Sequence, residues 1–144
     1  MRKKSLLLED DAFWAKNAIT EPLDHLCEWV VAHNEQEFLT IASDEFHSFN
    51  CDVTIPGARK SGPELLQDFL IATQPQAKVI VITGKHNLND LQTAYGKWPN
   101  SLFYRYLEKN ADNFARDFEI TLVDVLNEEP DDFCNSVRVM LEEN

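Results

Sequence analysis

A chain of 144 residues with 44% apolar side chains and only 4 Gly and 6 Pro suits one globular domain, not a disordered or collagen-like chain. Its 13 Lys plus Arg against 25 Asp plus Glu give a formal charge of −12, which counts against a nucleic-acid groove and against an anionic membrane surface, since both want a basic face. The same balance leaves room for a carboxylate site holding a hard cation such as Mg²⁺.

Ser5 to Leu8 reads as a short buried strand stopped by "EDD". Phe13, Ala15, Ala18, Ile19, Leu23 and Leu26 then recur at roughly helical spacing, which predicts a helix over 12–26 that Pro22 kinks or ends early. "EWVVA", Glu28 to Ala32, reads as a second strand. Asn34 with Glu37 forms a capping box for a helix carrying Phe38, Leu39 and Ala42. Phe46 to Ile55 is the third strand, with an unusually polar first half. Ser61 with Glu64 makes a second capping box, with Pro63 tolerated in the first turn, and Leu65, Leu66, Phe69 and Leu70 give that helix an apolar face.

"KVIVIT", Lys78 to Thr83, is the clearest strand, because four consecutive β-branched apolar residues suit a strand covered on both faces. Asn87 to Tyr95 is a weaker helix with Gly96 as its stop. "LFYRYL", Leu102 to Leu107, alternates and is aromatic, as strands often are. Ala111 to Leu126 is helical with Phe114, Phe118, Leu122 and Val125 on one stripe. Five strand-then-helix units predict an α/β fold, a doubly wound five-stranded parallel sheet with helices on both faces. Residues 1–126 form that domain. Residues 127–144 read as an acidic connector, "NEEPDD", and a short extra C-terminal helix holding Phe133, Val137, Met140 and Leu141, suited to docking or a homodimer contact.

Cys27, Cys51 and Cys134 are far apart and odd in number, with no C-x-x-C pair, so neither a zinc site nor a disulfide framework is expected and a reducing cytoplasm fits. The apolar run Leu6 to Leu8 is too short for a signal peptide or a spanning helix. His25, His33, His47 and His86 show no ligand spacing, and Trp14, Trp29 and Trp98 read as packing or interface residues.

In an open α/β sheet, ligands bind beyond the carboxyl ends of the strands. Glu9, Asp10 and Asp11 follow the first strand, Asp52 falls late in the third, Thr83 closes the fourth and Lys109 follows the fifth. Adjacent parallel strands bring these residues to one cleft. Carboxylates of Glu9, Asp10 and Asp52 suit Mg²⁺, and the Thr83 hydroxyl and Lys109 ammonium suit phosphoryl oxygens. A central carboxylate can attack phosphorus and form an aspartyl phosphate.

With "LLLEDD", "DVTIPG", "VIVITG" and "YLEK" in this order and spacing, the chain resembles the receiver domains of two-component response regulators over roughly residues 5–126. The resemblance implies a flavodoxin-like receiver fold with Asp52 as phospho-acceptor. Glu9 and Asp10 would hold Mg²⁺ together with Asp52 and the backbone carbonyl of Thr54, and Asp11 would be a bystander. It further implies that Thr83 bonds a phosphoryl oxygen, that Lys109 pairs with the phosphoryl group, and that Tyr106 is the aromatic whose rotamer reports the state of the site.

A histidine kinase or phosphotransfer protein would supply the phosphoryl group, and a downstream protein would read the switched surface. No enzyme activity beyond self-phosphorylation and self-dephosphorylation is implied, and no nucleic-acid or membrane binding by this domain.

Asn110 follows Lys109 where the family usually has proline, the basis of its usual cis turn. "GARKSG", with Arg59 and Lys60 near the site, and "GKWPNSLFYRY" are longer than the family's loops. These departures motivate a second reading, a degenerate receiver acting as a phosphorylation-independent binding module. A phosphohydrolase is disfavoured, because Thr54 stands where those enzymes have a second Asp.

Overall fold

The structure is a computed structural model, and it describes residues 2–41, 46–73, 78–84 and 103–127. Strands β1 (Lys4–Leu8), β2 (Glu28–Ala32), β3 (Ser48–Asp52), β4 (Val79–Thr83) and β5 (Phe103–Glu108) form one sheet in the order β2-β1-β3-β4-β5. Every neighbouring pair is parallel. This is the flavodoxin-like order, whose switch point lies between β1 and β3. The helices are α1 (Ala12–Trp14, running on as a π-helix over Ala15–Thr20), α2 (Glu35–Ile41), α3 (Gly62–Thr73) and α4 (Phe114–Asn127). The weak helix expected at Asn87 to Tyr95 and the C-terminal helix expected within 127–144 lie outside the described residues, as does Ala42.

Alternation along the strands sorts the core into two layers. Leu6, Leu8, Phe49, Cys51, Val79 and Val81 pack with Phe38 of α2 and with Leu65, Leu66 and Leu70 of α3. On the other face Leu7, Ile80, Ile82 and Leu107 pack with Ala15, Ile19 and Leu23 and with the α4 stripe of Phe114, Phe118, Leu122 and Val125. Helices therefore cover both faces, which explains why "VIVIT" is apolar at every position before Thr83. A register shift against Val79 and Ile80 leaves Tyr104 as an extra residue in β5. This bulge puts Tyr104 beside the α1–α4 layer and Tyr106 against the α2–α3 layer, although the two are only two residues apart.

Both cap side chains accept from the glutamate N–H three residues on. Asn34 Oδ1 accepts from the Glu37 N–H at 2.8 Å, and Glu37 Oε1 accepts from the His33 N–H at 3.0 Å. Ser61 Oγ accepts from the Glu64 N–H at 3.3 Å and donates to Glu64 Oε1 at 3.1 Å. Leu39, expected on the buried side of α2, faces out instead.

The first helix departs most from expectation. It ends at Thr20 and continues to residue 26 only as turns. Pro22 has no N–H to donate, and in tight α winding its ring meets the carbonyl four residues back. The wider π winding, closed by Glu21 N–H to Lys16 O at 2.9 Å, brings Ala15, Ile19 and Leu23 onto one buried stripe at a spacing of four.

The third strand is also shorter than the predicted Phe46 to Ile55. It ends at Asp52, because the Val53 carbonyl turns away to accept from the Gly62 N–H at 2.9 Å and so joins the loop to α3. The polar first half of this strand forms a seam with β1. Ser48 Oγ donates to Ser5 Oγ at 2.6 Å, and Asn50 Nδ2 donates to the Leu6 carbonyl at 3.0 Å and to Ser48 Oγ at 3.2 Å. These residues share the pleat face of Asp52, while Phe49 and Cys51 go to the opposite layer.

Candidate functional site

Strand parity aims three charged side chains at one point. Glu9 lies two residues beyond Leu7, Asp52 two beyond Asn50, and Lys109 two beyond Leu107, so all three emerge over the α1–α4 face at the carboxyl end of the sheet. Lys109 Nζ donates to Glu9 Oε2 at 2.7 Å and to Asp52 Oδ2 at 3.1 Å. Glu9 is fully buried and Asp52 is 9% exposed, whereas Asp10 is exposed. Together with Asp11, Thr54, Pro56 and Gly84 these residues line an open cavity of about 190 Å³.

The backbone of each member is tied down. The Glu9 N–H donates to the Ala32 carbonyl at 3.0 Å. The Glu9 carbonyl lies 3.0 Å from His33 Nδ1, and since a carbonyl only accepts, Nδ1 carries the proton. Asp11 Oδ1 caps α1 by accepting from the Trp14 N–H at 2.9 Å, and the Asp11 N–H donates to Glu9 Oε1 at 3.2 Å. The Lys109 N–H donates to the Thr83 carbonyl at 2.8 Å, which fixes β5 against β4 at the rim. Asn110 Nδ2 donates to the Gly84 carbonyl at 3.3 Å, and the Lys109–Asn110 peptide bond is trans.

Burial pushes the Glu9 carboxyl up to about 7, and the neighbouring charge of Asp52 adds to the rise; the hydrogen bond and charge of Lys109 and the Asp11 N–H oppose it. Burial acts to lower Lys109, but its hydrogen bond to Glu9 and the charges of Asp52 and Glu9 outweigh burial and hold the ammonium above the ordinary lysine value.

One carboxylate oxygen each from Glu9, Asp10 and Asp52 lie within 4.8 Å of one another. Hard oxygens at this spacing suit Mg²⁺, and the ammonium already seated on two of them shows that the place accepts positive charge. The donor set therefore fits the metal, with Asp10 closing the group on the solvent side.

Six of the seven residues singled out from the sequence stand at this end of the sheet. Glu9, Asp10, Asp52, Thr54 and Lys109 line the cavity; Thr83 ends β4 beside the lining residue Gly84, but is itself buried and outside the lining. Tyr106 packs on the opposite face of the sheet, against the α2–α3 layer. The loop cations Arg59 and Lys60 are absent from the lining and pair elsewhere, Arg59 with Glu35 at 3.3 Å and Lys60 with Asp68. Asp11, His33 and Trp14 had no site role in the sequence reading. The cap at Asp11 was legible in its place before a helix; the His33 and Trp14 contacts arise only when the layers close.

No protein-family model matches the chain, and no curated protein matches it significantly. Solved structures that match are mostly receiver domains of response regulators. A CheY-like receiver domain protein from Methanospirillum hungatei is 21% identical with a TM-score of 0.70, covering 88% of this chain and 95% of that one. The response regulator TrrA from Thermotoga maritima, in complex with Mg²⁺ and BeF, is 21% identical with a TM-score of 0.66, covering 86% and 99%. An adenylate cyclase structure from Rhodopirellula baltica is 22% identical with a TM-score of 0.70 over 100% of both chains. At these identities the likeness is one of fold, and the fold is that of receiver domains. No helix among the described residues is long and apolar enough to cross a membrane.

Proposed function

We propose that the chain is a receiver that accepts a phosphoryl group on Asp52 and serves phosphorelay signalling. One observation carries the reading: Glu9 and Asp52 meet the Lys109 ammonium, with Asp10 and Thr54 beside them, in a cavity open to solvent at the carboxyl ends of β1, β3 and β5. A carboxylate Oδ of Asp52 attacks phosphorus of the donor. The new bond is an acyl phosphate P–O bond, the donor's P–N bond breaks if the donor is a phosphohistidine, and the departing imidazole takes up a proton. Lys109 sits 3.1 Å from Asp52 and so is placed to balance negative charge added there.

Glu9, Asp10, Asp52 and the Thr54 carbonyl would hold Mg²⁺, which when bound neutralises charge on the transferring group. The buried Thr83 takes a phosphoryl oxygen, and Tyr106 relays the change to the α2–α3 side for a protein target. The donor is a histidine kinase or phosphotransfer protein, and the domain turns over nothing beyond its own acyl phosphate. No observation favours a phosphorylation-independent module, since the charged constellation is intact.

The test is incubation with Mg²⁺ and a small phosphodonor such as phosphoramidate, read by intact mass. The wild type gains one phosphoryl group and Asp52→Asn gains none. An unmodified wild type, or an equal gain in Asp52→Asn, removes the claim for Asp52.

A further inference from the structure

Lys109 has a third partner besides its two carboxylates. Its Nζ lies 4.1 Å from the centroid of the Trp14 ring, well inside the roughly 6 Å reach of a cation–π contact. This partner differs in kind from the others. Glu9 and Asp52 are candidate ligands for a divalent cation, so the lysine and the metal claim the same oxygens. An indole face is no ligand for a hard, oxygen-seeking cation, so it stays available to the ammonium alone.

The ring is built into its position. Asp11 fixes the Trp14 backbone at the start of α1, and the π-helix begins at the next residue. Phe114 stands 5.7 Å from Trp14, Phe118 stands 5.7 Å from Phe114, and Trp29 stands 6.5 Å from Phe118. A row of four aromatic rings thus reaches from the edge strand β2 across α4 to the ammonium. Trp14 packs on the edge of the α1–α4 core, half-buried beside the fully buried Ala15, Ile19 and Leu23, and turns a ring face to Lys109 as well. Beyond Lys109, the Asn110 amide donates to the Gly84 carbonyl at 3.3 Å. The groups that meet Nζ itself include Glu9, Asp52 and the Trp14 ring.

We propose that Trp14 is a positioning residue for Lys109: its indole face holds the ammonium at the cavity wall when a divalent cation takes up Glu9 and Asp52. This rests on the reading of the cavity as a Mg²⁺ site, not on the identity of the phosphodonor. Without the ring, the ammonium falls back on the carboxylates and competes harder with the metal.

Two measurements test it without any phosphoryl transfer. In the wild type, the ε-methylene protons of Lys109 show an upfield ring-current shift by NMR that persists at saturating Mg²⁺ and is absent in Trp14→Leu. By calorimetric titration, Trp14→Leu weakens Mg²⁺ binding by at most about thirty-fold, the full worth of a desolvated cation–π contact, because the contact exists without the metal and only its strengthening on metal binding counts. Trp14→Phe, the milder change that keeps a π-face, falls in between. In a Lys109→Met background the Trp14→Leu effect vanishes, because the ring acts through the lysine. Loss of the ring-current shift on adding Mg²⁺ to the wild type overturns the proposal, as does an equal weakening by Trp14→Leu in both backgrounds. A wild type that binds no Mg²⁺ overturns it together with the metal reading. A wild type that binds Mg²⁺ but accepts no phosphoryl group overturns only the receiver reading.

Discussion

Asp52 is held from behind as well as from the front. The Gly62 backbone passes so close that a Cβ there would overlap the Asp52 carbonyl oxygen and crowd its carbonyl carbon. Gly62→Ala therefore costs about 1–3 kcal/mol by overpacking, and it shifts the Asp52 backbone, so Mg²⁺ affinity falls with it. Gly57 is the control. Its φ of +77° strains any other residue, but nothing lies within 4 Å of an added Cβ. Gly57→Ala is expected to cost about 1–2 kcal/mol through that strain and to leave Mg²⁺ affinity unchanged. Urea melts alongside Mg²⁺ titrations separate the two; equal affinities in both variants would remove the role given to Gly62. The need for glycine at 62 was hidden in the sequence, where "SG" before a helix reads only as a cap. The charged residues themselves were legible, because strand ends and parity are local properties. Their pairings were not, since Lys109 and Glu9 are joined only by the closing of the sheet.

At the scale of elements, the apolar stripes read from periodicity are the ones that pack. Phe114, Phe118, Leu122 and Val125 are all buried in α4. Phe118, at the centre of the aromatic row, is 1% exposed, so Phe118→Ala is expected to cost about 3–5 kcal/mol. Ile120 on the same helix is half exposed, and Ile120→Ala should stay within about 0.5 kcal/mol. Denaturant midpoints measure both, and tryptophan emission should shift only in the first. What periodicity could not supply was the change of winding in the first helix. Pro22 announced an interruption, but the spacing of Ala15, Ile19 and Leu23 fits α and π winding almost equally well until the sheet supplies a surface. Similarly, the alternation of "LFYRYL" indicated a strand but not its bulge, which sends Tyr104 and Tyr106 into different layers. The polar start of β3 had no explanation in sequence, and its explanation is a partner strand: Ser5 lies opposite Ser48 in the parallel register.

For the whole molecule, the buried cluster sets a pH dependence with a definite sign. The native Glu9 carboxyl titrates near 7, above its ordinary value of 4.5. The folded state therefore holds more protons than the unfolded one across that window, and stability falls as pH rises through it. The metal-free protein should show a melting temperature that declines between those values, and Glu9→Gln should flatten that part of the curve relative to wild type. Saturating Mg²⁺ at pH 8 should raise the wild-type melting temperature, since a ligand that binds only the folded state stabilises it. A decline that is identical in Glu9→Gln would show that the penalty lies elsewhere among the acidic groups. The strand order and two-layer core followed from the alternation of strands and helices; the energetic tension at their ends needed the distances.

The bridge between Glu9 and Lys109 joins residues 100 positions apart. On a ribosome adding about 5–20 residues per second, the acidic pair at β1 and β3 is made seconds before its cation. During that interval β1, β2 and β3 can already assemble, but the carboxylates of Glu9 and Asp52 face each other uncompensated. Protonation of Glu9 or capture of a divalent ion from the surroundings would relieve the repulsion until β5 docks. A nascent chain stalled before Lys109 emerges should thus need Mg²⁺ for compactness more than the finished protein does.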